Sequence, residues 1–79
     1  MKRIKSKQKI CVELADLIQE EIDYTIAQEY DWRSFGVETE DGYTAEVAYD
    51  LGEIKIYGVY DTEGFRSLDV EEMLQESFN

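Results

Sequence analysis

The chain has 79 residues, 43% of them hydrophobic, with 19 acids against 8 bases and a formal net charge of −11. That composition describes one small folded domain and excludes a transmembrane helix, a histidine general base and a zinc site of the common cysteine–histidine kind. The lone cysteine excludes an internal disulfide and points to a reducing compartment, the cytoplasm.

Charge is unevenly spread. Lys2, Arg3, Lys5, Lys7 and Lys9 precede every acid, so residues 10–79 carry −16, from three bases and nineteen acids. Such a body repels nucleic acid and anionic membranes and attracts basic partners. Residues 1–5 are expected to fray, because bases at a helix start oppose the macrodipole.

Ser6 is the expected N-cap of a first helix reaching about Glu29. Cys11, Leu14, Ala15, Ile18, Ile22 and Ile26 fall on one stripe at helical spacing, and the packed part is predicted to end near Ile26. Cys11, inside that stripe, reads as an inert buried thiol. Trp32, in the link to the first strand, is expected to cap one end of the core, with a partner anchor as the alternative.

Three runs then alternate at period two: Phe35, Val37, Thr39; Tyr43, Ala45, Val47, Tyr49; and Ile54, Ile56, Gly58, Tyr60. Cross-strand neighbours share a face, so the apolar sets must be matched. For the first hairpin this selects a three-residue loop, Glu40-Asp41-Gly42, with Gly42 left-handed. The second needs an even loop pairing Tyr49 with Ile54 and Val47 with Ile56. The four-residue version, Asp50 to Glu53, is preferred because Leu51 disfavours positive φ. This register sets Ala45 against Gly58, a shallow spot where a helix approaches closely or a bulge sits. It places Tyr57 and Val59 beside Ala48 on the outer sheet face.

Asp61-Thr62-Glu63-Gly64 reads as a turn, and Asp69 with Glu72 as a capping box opening a second helix. Leu68 and Met73 are the expected hydrophobic staple, with Val70, Met73, Leu74 and Phe78 forming the apolar stripe. The predicted fold is α+β: one two-layer α-β-β-β-α domain over residues 1–79. Its sheet is a three-stranded antiparallel meander with both helices on one face. Double-stranded RNA-binding domains share that order of elements, but carry a lysine cluster at the start of their last helix. Here the segment reads Ser67-Leu68-Asp69-Val70-Glu71-Glu72, and direct nucleic-acid binding is not expected.

No catalytic, metal-binding or cofactor-binding set emerges from the residue pattern. The expected function is that of a small acidic protein–protein interaction module, an adaptor or regulator. Its candidate partner-binding residues are Tyr57, Val59, Ala48, Trp32, Glu38 and Glu46, and the expected partner is a protein of basic character. A nucleic-acid-mimicking inhibitor is the alternative, since Glu13, Asp16, Glu20 and Asp23 form a helical row. A carboxylate-dependent enzyme is the remote one. Homodimerisation is expected through the open edge of the third strand, Ile54 to Tyr60, where Lys55 is the lone basic guard.

Overall fold

The computed structural model describes residues 5–79. The elements follow in the order α1 (Lys7–Ala27), β1 (Trp32–Glu38), β2 (Thr44–Asp50), β3 (Glu53–Tyr60) and α2 (Leu68–Ser77). The sheet has the order β1-β2-β3 and is antiparallel throughout. Ile10, Cys11, Leu14, Ile18 and Ile22 of α1 and Val70 and Leu74 of α2 form one core with Ala45, Val47, Ile56 and Val59 of the sheet. Both helices therefore cover the same sheet face, as one amphipathic sheet and two amphipathic helices require.

Ser6 caps α1 as its type suggests: its hydroxyl accepts a hydrogen bond from the Lys9 amide at 3.1 Å. The fraying expected of residues 1–4 lies outside the described residues. Lys5, expected to fray with them, is held by two carboxylates. At the other end of α1 the core stripe turns onto Thr25, which is buried, while Ile26 is 56% exposed. The cause is local. Glu29 takes a left-handed φ of 60°, its amide bonds the Ile26 carbonyl at 3.0 Å, and the Tyr30 amide bonds the Thr25 carbonyl at 3.1 Å. That is a Schellman closure with a glutamate where glycine is preferred. Arg33 completes the seam. It donates to Thr25 Oγ1 at 3.1 Å and to Glu21 Oε1 at 3.1 Å, with its guanidinium lying near the rings of both Tyr24 and Phe35.

The first hairpin has the predicted register, with Phe35 opposite Val47 and Val37 opposite Ala45. Gly42 has φ +97°, and the Thr39 amide bonds the Tyr43 carbonyl at 2.8 Å. The second hairpin keeps Tyr49 opposite Ile54 and Val47 opposite Ile56, but closes with two residues instead of four. Leu51 (φ 46°) and Gly52 (φ 91°) are both left-handed. Positive φ at both positions is the type I′ geometry, whose twist suits the flanking strands and outweighs leucine's dislike of that conformation. The Leu51 amide also gains the Asp31 carbonyl as an acceptor at 2.8 Å.

At the shallow spot the bulge is the outcome. Glu46 pairs with Gly58 while Val47 pairs with Ile56, so Tyr57 is the extra residue. The bulge reverses the facing of everything beyond it. Val59 turns into the core opposite Ala45, and Tyr60 turns outward opposite Thr44. The Tyr60 ring covers Gly58, where an added Cβ would lie 2.9 Å from the hydroxyl oxygen. Helix α2 starts earlier than the predicted cap, at Leu68 behind Ser67. Asp69 thus sits inside the first turn, where its charge suits the helix dipole and pairs with Lys7. Leu68 is largely exposed, so the expected capping box and staple do not form as assigned.

Candidate interaction surfaces

Four surfaces follow from this arrangement: the outer sheet face, the two sheet edges, and a cleft beside the first edge.

The outer face is built by period-two alternation. Trp32, Ser34, Gly36 and Glu38 of β1 run alongside Asp50, Ala48, Glu46 and Thr44 of β2, and these alongside Glu53, Lys55, Gly58 and Tyr60 of β3. No described helix or loop packs across it. Trp32 is 61% exposed and Tyr57 59% exposed, at opposite ends of a stretch of small residues. Trp32 does not cap the core, because its parity puts it opposite Asp50 on the uncovered side. Five of the six candidate residues, Trp32, Glu38, Glu46, Ala48 and Tyr57, do share this face. Val59 does not: it is 0% exposed, a core residue on the opposite side. Ala48 is buried between its register neighbours Ser34 and Lys55, so it contributes flatness and little contact area.

The edges differ sharply. Along β3, Ile54, Ile56, Tyr57 and Val59 turn backbone groups away from β2, and four of these, the carbonyls of Ile54, Tyr57 and Val59 and the amide of Ile56, are already bonded. The Gln75 side-chain amide accepts from the Ile56 amide at 2.8 Å and donates to the Ile54 carbonyl at 2.9 Å. It thus takes the place of a peptide unit from a further strand. Arg66 donates to the Tyr57 carbonyl at 3.4 Å, and the Ser67 amide donates to the Val59 carbonyl at 2.7 Å. Arg66 is itself fixed by a two-pronged pair with Glu71, at 3.0 and 2.7 Å, which holds its guanidinium above the ordinary arginine value. The edge chosen from sequence for dimerisation is therefore capped, and Lys55 is not what guards it.

Strand β1 carries no such cover. Its odd-numbered side is hydrogen-bonded with β2, as the bonds from Leu51 to Asp31 and from Thr39 to Tyr43 show at either end. In an antiparallel ladder the even positions then point their amides and carbonyls away. Among the described residues no side chain or loop caps Trp32, Ser34, Gly36 or Glu38 as Gln75, Arg66 and Ser67 cap β3.

Beside the far end of that edge lies a cleft of about 540 Å3, lined by Lys5, by Glu13, Asp16 and Leu17 of α1, and by Glu38, Thr39, Glu40 and Asp41. The Lys5 ammonium reaches into it, 2.5 Å from Glu13 and 2.8 Å from Asp41. Thr39 fixes Asp41 from the other side, donating at 2.7 Å. The Lys5 contact, with that of Thr39, holds the Asp41 carboxyl below the ordinary aspartate value; Asp41 and Glu13 hold Lys5 above the ordinary lysine value.

Among the described residues no three carboxylates or thiols converge as a metal would require, and no helix is long and apolar enough to cross a membrane. Cys11 is buried. Comparison with protein-family models, with curated proteins and with solved structures finds no match to this chain.

Lys5, Gln75 and the open side of β1 carry no mark in the sequence. Lys5 meets Asp41 only once the first hairpin has folded under α1, and Gln75 reads as an ordinary polar flank of a helix. Alternation identified the outer face, but the bulge that removes Val59 from it is a tertiary outcome.

Proposed function

We propose that this protein is a small acidic interaction module, an adaptor or regulator, that engages a protein partner of basic character through its uncovered sheet face. The observation that carries the reading is the pair of large aromatic side chains, Trp32 and Tyr57, standing well exposed on a face with a flat middle and an acidic rim. That rim consists of Glu38, Glu46, Asp50 and Glu53. Tryptophan and tyrosine combine area with few rotamers and dominate binding energies where they are buried by a partner. Acids around them favour a basic surface and speed its encounter.

The remaining carboxylates support docking over imitation of a phosphate backbone. They lie on α1, in the links on either side of the sheet, on the first hairpin tip and along α2. A mimic needs them in one row. Lys5, Lys7, Arg33 and Arg66 are each engaged by a carboxylate, so these four bases offset their own partners and leave the surplus of acids to set the surface charge. The reading involves no catalysis, and it takes the cytoplasm as the site of action on the strength of the unpaired cysteine.

The test is affinity capture with the wild-type chain, Trp32→Ala and Tyr57→Ala, with identification of what each retains. A basic protein held by the wild type, released by salt and lost from both variants is the expected result. Identical retention by all three removes the outer face from consideration.

A further inference from the structure

The contrast between the two sheet edges is the feature the outer-face reading leaves unused. On β3, four backbone groups that turn away from β2, the Ile54, Tyr57 and Val59 carbonyls and the Ile56 amide, have partners supplied by a side chain or by the chain itself. On β1 the corresponding groups of Ser34 and Gly36, in mid-strand, have none among the described residues. An edge with neither lysine, proline nor bulge is a template for one more strand.

What surrounds that edge selects the strand. A chain laid along β1 would present alternate side chains to the flank of α1. There it would meet half-buried Leu17 together with Glu13 and Asp16 of the same cleft, and Glu38, Glu40 and Asp41 from the hairpin side. An ammonium already occupies this cleft, that of Lys5, brought in from the segment before α1. From the paired observations of an uncapped backbone edge and a carboxylate-walled cleft alongside it, we infer that β1 takes up an extended segment of a partner protein as a fourth strand. A lysine or arginine of that segment enters the cleft in place of Lys5. The inference rests on the interaction-module reading and names the mode and chemistry of its partner.

A second copy of this chain fits the edge less well. Each copy brings a formal charge of −11. The one base within β1, Arg33, is committed to Glu21 and Thr25 and lies against two aromatic rings, so it cannot serve the cleft of a twin. The occupant is therefore a basic segment of a different protein.

The probe is a capped peptide alternating lysine and valine over about ten residues, with a glutamate–valine peptide as control. Each is titrated into 15N-labelled protein, with amide exchange followed at Ser34 and Gly36. The lysine peptide is expected to shift β1 and Glu13–Leu17 resonances and slow exchange at Ser34 and Gly36; the control leaves both unchanged. Lys5→Ala should tighten binding and Asp16→Asn weaken it, each by about threefold or more, with affinity falling as salt rises. Gly36→Pro removes an outward amide from an edge strand, a place where proline is tolerated, and should abolish binding. Its melting curve reports whether it folds, and the wild-type exchange data decide the matter if it does not.

Shifts spread over the acids of α2, equal shifts with both peptides, or self-association that protects β1 would each overturn the inference. So would the absence of any shift, leaving the module reading to be judged by its own capture experiment. Binding that survives Gly36→Pro but is lost in Tyr57→Ala would discard the edge and retain the sheet face.

Discussion

Gln75→Ala tests how the third strand is closed. The side-chain amide makes two hydrogen bonds to β3, at 2.8 and 2.9 Å, and a third to Asn79 at 3.1 Å. Two ordinary bonds are worth about 1 kcal/mol each, and the freed groups sit at an edge where water can partly replace them. Alanine returns a few tenths of a kcal/mol as the better helix former. The expected loss is therefore roughly 1–2 kcal/mol, which for a domain of this size lowers Tm by roughly 5–15 °C. Thermal and urea unfolding followed by circular dichroism measure it. Gln75→Glu sharpens the case, because a carboxylate still accepts from the Ile56 amide but faces the Ile54 carbonyl with a second acceptor. At neutral pH it should cost at least as much as alanine. In acid part of the loss should be recovered, since the carboxyl can donate only when protonated and folding therefore raises its pKa; that stabilisation is present below the unfolded value and is lost as pH rises through the folded one. A Tm within about 2 °C of wild type for Gln75→Ala would refute the assignment of Gln75 as the cap of that edge.

Three further outcomes are expected. Leu51→Asn should stabilise the domain by roughly 1 kcal/mol, because Leu51 is 76% exposed and held at a left-handed φ that asparagine tolerates; a lowered Tm would show that the leucine side chain packs after all. Glu29→Gly, at the left-handed position closing α1, should add roughly 0.5–1 kcal/mol after the extra chain entropy of glycine is subtracted, read by urea unfolding. The Asp41 carboxyl, held low by Lys5, supplies stability that is present above the ordinary aspartate range and disappears as pH falls through its depressed folded value. The Lys5 share disappears only as pH climbs through its raised one. An NMR titration should therefore show the Asp41 midpoint rising in Lys5→Ala, and an unmoved midpoint would break the link between the two.

How much of this was legible in the sequence depends on the range of the interaction. Alternation and turn length set the first hairpin register to the residue, because one misplaced step would have put Glu46 opposite Val37. The helical stripe located Leu14, Ile18, Ile22, Val70 and Leu74 in the core. The misplacements share a cause: each is a place where contacts from elsewhere overrule a local preference. Leu51 and Glu29 accept positive φ because the strand twist and the helix exit demand it. Val59 is drawn inward by the bulge at Tyr57. Thr25 displaces Ile26 from the stripe, with Arg33 reaching across from β1 to bond it. Of the candidate site, the outer face was readable from parity, whereas Lys5, Gln75 and the unequal edges depend on residues far apart in the chain.

The asymmetry of the sheet also limits stoichiometry. Growth of a filament by backbone pairing requires every subunit to offer two receptive sides, one for each neighbour. Here the Gln75 amide and the Arg66–Ser67 segment occupy one of them, so a strand that joins at β1 finds no outlet at β3 for the next subunit. If β1 takes up a strand as inferred, assembly by this route would end after a single step, as a discrete complex of defined size.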